Sequence, residues 1–173
     1  MPLSMFDASV PVFVQILGAL DGVLGKAQSH AAARKIDESV LLGCRLAPDM
    51  FPLSRQIHIA CDFAKGATAR LAGAEVPSWA DDEATFAQFK ARVSRTIDYV
   101  RGFKPSQIDG SEDREITLKV GGNTRTFKGR PYLLQFVMPN FFFHTTAAYA
   151  ILRHNGVELG KRDFMGQVPG INA

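Results

Sequence analysis

The chain reads as an all-α four-helix bundle with a small β-hairpin inserted between helices 3 and 4. Three observations predict this. Four long segments repeat apolar residues at the three-and-four spacing of a helix. One stretch alternates as strands do and is broken by a Gly-Gly-Asn turn signal. Finally, 173 residues with 46% hydrophobic content suffice for one substantial core, so residues 1–173 are read as a single domain.

Helix 1 is expected from about Ser9 to about His30, with Val10, Phe13, Val14, Leu17, Leu20 and Leu24 on one face. Ser9 or Asp7 is placed to cap it, and Pro11 is tolerable because it lies in the first turn. The connector KIDESVLLGCRLAPDM holds a short helix that must stop before Pro48. Helix 2 spans about Pro52 to Ala72, where Leu53, Ile57, Ala60, Cys61, Ala64, Ala67, Thr68 and Leu71 form a stripe that Gly73 ends.

EVPSWADDEA is a turn-rich acidic link, after which Thr85 and Gln88 form a capping box for helix 3. Phe86, Phe89, Val93, Ile97 and Val100 give that helix an apolar face up to Gly102. REITLKV and TRTFKG then form the hairpin around Gly121, Gly122 and Asn123. Its basic residues, Arg114, Lys119, Arg125, Lys128 and Arg130, discourage edge-to-edge strand pairing.

Helix 4 is expected from Pro131 to Asn155 and Gly156. Pro139 lies within it. Either this proline kinks the helix beside Asn140 and His144, opening a polar pocket, or it starts the main helix after a separate segment over 131–138. At about 100° per residue, Leu133, Val137, Asn140, His144, Ala147, Ala148 and Ile151 share one side, while Met138, Phe142 and Tyr149 line the other. A helix apolar nearly all round is buried on both sides. The second face is therefore expected either to pair with another copy, giving a homodimer, or to lie under the chain's own hairpin and loops.

Charge and cysteine content narrow the function classes. Residues 1–113 hold 12 Lys/Arg and 14 Asp/Glu, whereas residues 114–173 hold 8 and 3, so the net charge of +3 is a C-terminal excess. No aromatic-interleaved basic motif accompanies it, so no nucleic-acid partner is expected. Cys44 and Cys61 have no CxxC or Cys/His zinc spacing, which fits a reducing compartment. The apolar stretch VPVFVQILGAL is too short to span a bilayer and has neither a basic leader nor a cleavage site. The expectation is a cytoplasmic protein with no targeting segment and no membrane partner. Thirteen Phe against one Trp and three Tyr make the core rely on rings with no polar handle.

Three stretches, LAPDMFPLSRQ, PNFFFHTTAAYAILRHNG and GKRDFMG, resemble a small bacterial family of unknown function within the DinB/YfiT-like superfamily, helical-bundle proteins regarded as metalloenzymes. The resemblance covers essentially the whole chain. It implies a metal site built from one His of helix 2 and an HxxxH pair of helix 4. Matching the shared arginine-and-glycine ending puts His144 on the second His of the pair, with Asn140 in the place of the first. An Asn amide oxygen is a poor ligand for the metals that imidazole suits.

On helix 2 the sole histidine is His58, about 130° from the centre of the apolar stripe. It is expected on the exposed surface beside Asp62 and Lys65, with Gln56 and Cys61 nearer the core. Cys61 packs as a buried residue unless a base such as His144 activates it. His30 and His154 are expected to face solvent near helix ends, and Phe164 and Met165 to dock a tail whose last residues are disordered.

Two functional readings follow. In the first, Asn140, His144, Gln56 and Asp62 orient a small molecule in a pocket between helices 2 and 4, with no three-His site and no cofactor. In the second, His144 and His58, with Asn140, Gln56 or Asp62, hold a divalent ion, Zn or Ni, for a thiol transferase, isomerase or hydrolase reaction. Whether the chain is an enzyme stays open at this point.

Overall fold

The computed structural model describes residues 4–170. The disorder expected of the last residues falls on 171–173, outside the described ones. In chain order come α1 (Val10–Arg34), α2 (Glu38–Gly43), α3 (Leu53–Ala72), α4 (Phe86–Arg101) and the single turn α5 (Pro105–Ile108). The hairpin β1 (Glu115–Val120) and β2 (Asn123–Lys128) follows. It leads through α6 (Gly129–Pro131) and a π-helical segment (Tyr132–Val137) into α7 (Met138–His154) and α8 (Lys161–Met165). The helical content is thus spread beyond the four predicted helices, whose long counterparts are α1, α3, α4 and α7.

The core lies where α1 packs on α4 and α3 packs on α7. Phe13 and Leu17 of α1, Leu53 and Ile57 of α3, Phe89 and Val93 of α4, and Phe141 and Ile151 of α7 are all fully buried. By length and composition α1 could cross a membrane. It is nevertheless a core helix, with ten of its residues buried against the bundle. It also runs a turn past His30, to a left-handed Lys35 cap at φ 55°.

Ser9 does not cap α1. Its hydroxyl instead donates to the carbonyl of Met5 at 2.6 Å, inside a preceding turn that already carries the chain into the helix. The Thr85–Gln88 capping box does form at the start of α4. The Glu38 carboxylate of α2 also accepts from the Phe86 N–H at 2.7 Å, a negative charge at the positive end of the α4 dipole. Gly73 ends α3 at φ 70°, in the left-handed conformation a C-cap requires.

The hairpin is antiparallel, with Val120 opposite Asn123. Gly121 and Gly122, at φ 56° and 82°, supply the two positive angles of a two-residue turn. The aromatic stack Phe127–Phe136, with ring centroids 5.1 Å apart, ties the ribbon to the π-helical segment.

That segment answers the question of Pro139. Proline has no N–H to donate and its ring crowds the carbonyl four residues back. The turns before it are wound more widely, and the Met138 N–H reaches five residues back to the Leu133 carbonyl. Pro139 falls in the first turn of α7, where it is tolerated. No open polar kink results, because the Asn140 side-chain amide donates to the Phe136 carbonyl at 2.7 Å.

The second face of α7 is partly covered by the chain itself. The Phe164 ring of α8 stands edge-on to Tyr149 at 5.9 Å, and Asp163 pairs with Lys26 of α1 at 2.7 Å. Phe142 and Phe143 stay exposed.

Candidate functional site

His144 lies where α7 packs on α3, its residue only 8% exposed. Its Nδ1 is 2.7 Å from Oε1 of Gln56. The Gln56 amide is itself fixed, since its Nε2 donates to the Phe51 carbonyl at 3.1 Å. A carbonyl oxygen only accepts, so Gln56 must turn Oε1 toward the imidazole, and His144 must carry its proton on Nδ1. In the neutral ring the lone pair then belongs to Nε2. Burial, reinforced by the positive charge of Arg55, holds the His144 pKa below its ordinary value and favours that neutral form.

Aromatic rings frame this imidazole. Phe63 stacks face-on at 6.0 Å and Phe143 meets it edge-on at 5.1 Å. Phe143 is 54% exposed, an apolar rim beside the imidazole. Among the described residues Nε2 has no hydrogen-bond partner.

His58 belongs to a different site. It follows Gln56 by two residues, about 200° around a helix, and so faces α4 rather than α7. It is also buried, at 6% exposure, which corrects the expected surface position. The acidic link makes the difference: residues 74–85 fold back over that side of α3 and α4. Nε2 of His58 lies 2.7 Å from Oε2 of Glu83, and its ring packs against Phe89 at 5.0 Å.

Arg92, 4% exposed, organises the cluster. It donates to Glu83 at 3.0 Å, Asp81 at 2.8 Å and the Ala80 carbonyl at 2.8 Å. Burial raises the Glu83 pKa, but the hydrogen bonds from Arg92 and His58 outweigh it and hold the carboxyl below its usual range. Lys65 is likewise buried, with its ammonium 2.8 Å from Asp62 and 4.5 Å above the Trp79 ring.

Of the predicted site residues, the fold therefore brings Gln56 to His144. Asn140 is spent on the Phe136 carbonyl, while Asp62 and His58 are drawn into the ion-pair cluster around Lys65 and Arg92. Cys61 sits on the α4 side beside Thr96 and Arg92, and burial pushes its thiol up to about 11, the reverse of an activated nucleophile. Sequence reasoning missed Phe51, Phe63 and Arg92. Phe63 is one turn from Ile59 and seven residues from Gln56, so the helix period placed it on the α7 side; Arg92 carried no signal separable from a surface charge.

This donor set does not fit a three-imidazole metal centre. One ring nitrogen, Nε2 of His144, is free to ligate, and among the described residues no group of three His, Cys, Asp or Glu is placed to share an ion.

Residues 5–165 match the family described as Domain of unknown function (DUF1993). A search of curated proteins returns no match. Among solved structures, the crystal structure of a DinB family member from Shewanella denitrificans is 36% identical, covers 97% of this chain and 95% of its own, and superposes with a TM-score of 0.86. The chain belongs to the DUF1993 family, a family of unknown function with the DinB-like fold.

Proposed function

We propose that the protein binds a small molecule at His144, without a complete three-His metal site, and that it works as a homodimer. The observation that carries this is the Phe51–Gln56–His144 relay. It fixes the imidazole tautomer and leaves Nε2 as a hydrogen-bond acceptor at an aromatic rim. A relay that orients an imidazole is what a binding or catalytic His needs. The fitting ligand presents an O–H or N–H to Nε2 and lays an apolar body on Phe143. No observation favours the metal-dependent alternative, in which Asn140 would have to abandon the Phe136 carbonyl and His58 would have to leave Glu83.

A nitrogen-15 NMR titration with phenol, which joins an O–H donor to an aromatic body, tests the reading. The Nε2 resonance of His144 is expected to move saturably while Nδ1 stays protonated, and His144→Phe is expected to lose the binding. An unmoved resonance at millimolar phenol, or equal binding by the variant, sinks the proposal.

A further inference from the structure

A cleft of about 260 Å³ lies between α3, the hairpin and the π-helical segment, and no step of the His144 reading uses it. Its walls are Ile59 and Phe63 of α3, Leu118 and Val120 of β1, and Tyr132 and Phe136 of the π-helical segment. These are apolar surfaces from three different elements. Besides one carboxylate, Asp62, two hydrogen-bond donors interrupt them.

The first is Arg70. Its guanidinium donates to the Tyr132 hydroxyl at 3.2 Å and has no carboxylate within 4.0 Å among the described residues. It is aimed there by a local device. Gly66, four residues earlier and on the same helical face, has no side chain, and the guanidinium lies across that gap. A Cβ on Gly66 would come within 2.5 Å of Arg70 Nη1. The second is the backbone of Lys119. Val120 and Asn123 close the two-residue turn as a hydrogen-bonded pair, which makes Lys119 and Thr124 the next, non-hydrogen-bonded pair. The Lys119 N–H therefore points out from the free edge of β1. The pleat sends its side chain to the face opposite Leu118 and Val120, so Lys119 meets the cleft with its main chain.

The one carboxylate lining the cleft is already neutralised, since Asp62 pairs with Lys65 at 2.8 Å and lies 3.6 Å from Arg92. What remains is an uncompensated guanidinium and an open N–H in the lining of an apolar slot. At about 30 Å³ for each water-sized group, the slot takes roughly nine such groups. We propose that this cleft is an anion site for a monocarboxylate with an apolar body of that size, the carboxylate on Arg70 and the body against Phe63, Phe136, Leu118 and Val120. The site needs neither Nε2 of His144 nor its tautomer, so it stands apart from the function proposed above.

Calorimetric titration with octanoate, and with octanamide as its uncharged counterpart, tests this on the full chain. Octanoate is expected to bind one site, with amide NMR shifts centred on Leu118–Val120 and Phe136. Octanamide is expected to bind at least tenfold more weakly, as is octanoate to Arg70→Gln. Gly66→Ala provides a variant whose fold is not at risk, because alanine favours the helix over glycine. It should melt no lower than the parent yet lose octanoate affinity, because its methyl displaces the guanidinium. His144→Phe should keep octanoate affinity within about twofold, which separates this site from the phenol site. Equal affinity for acid and amide, unchanged affinity in Arg70→Gln or Gly66→Ala, or shifts centred elsewhere would each overturn the proposal.

Discussion

Two histidines on facing helices end in opposite circumstances, and the difference lies in their partners. His58 has a carboxylate from the acidic link, which is anchored in turn by a buried arginine. His144 has an amide oxygen and two aromatic rings. Desolvation opposes charge on the His144 ring, and no neighbouring anion repays it. For His144 this fixes a direction with pH. Its folded pKa lies below the ordinary 6.5, so below that pH the unfolded chain binds more protons than the folded one. The stability held above pH 6.5 is lost as pH falls from 6.5 through the folded value. Urea midpoints measured at pH 7.5 and 5.5 should fall further for the parent than for His144→Gln, and equal falls would show that burial does not favour the neutral ring.

At the scale of elements, the π-helical segment shows how one proline redistributes hydrogen bonds. Pro139 deletes a donor, the preceding turns widen, and the Asn140 side chain bonds back to the Phe136 carbonyl one turn earlier. Asn140, in the place where the superfamily pattern calls for a metal-ligating His, is thus tied into the helix backbone. Asn140→Ala would leave the Phe136 carbonyl without that partner in a half-buried site, at a cost of about 1 kcal/mol. Thermal or urea denaturation reads this directly. A cost indistinguishable from zero would mean that water replaces the amide. The acidic link acts on a similar principle over a longer range. Asp81 and Glu83 have value to the fold chiefly because Arg92 would otherwise be a buried, unpaired charge.

The molecule as a whole leaves apolar side chains in water. Phe142 and Phe143 on α7, with Leu134 one element earlier, are exposed although Tyr149 on the same helix is covered by α8. The homodimer proposed above would bury Phe142 and Leu134, beside rather than beneath the C-terminal segment, and leave Phe143 at the rim of the His144 site. Multi-angle light scattering is expected to give twice the 18.9 kDa chain mass, and Phe142→Asp with Leu134→Asp to give the single mass with an unchanged circular dichroism spectrum. A parent that elutes as a monomer at micromolar concentration removes the homodimer from the proposal.

The amino-acid sequence by itself determined the helices, the capping box at Thr85, the Gly-Gly turn and the burial of His144 on the side facing Gln56, because each follows from short-range periodicity or from a cap a few residues long. It did not determine the surroundings of His58. A helical wheel ranks faces by their own hydrophobicity, and the polar face of α3 is buried by a link that arrives from up to 25 residues later in the chain and brings its own charges. Nor did it show that Gln56 is oriented by the Phe51 carbonyl, that Asn140 bonds back to the Phe136 carbonyl, or that Arg70 lies across Gly66 toward a cleft. Those are decisions of the tertiary structure, since each depends on which neighbouring group a polar side chain finds within reach, and that is settled only when the backbones have packed.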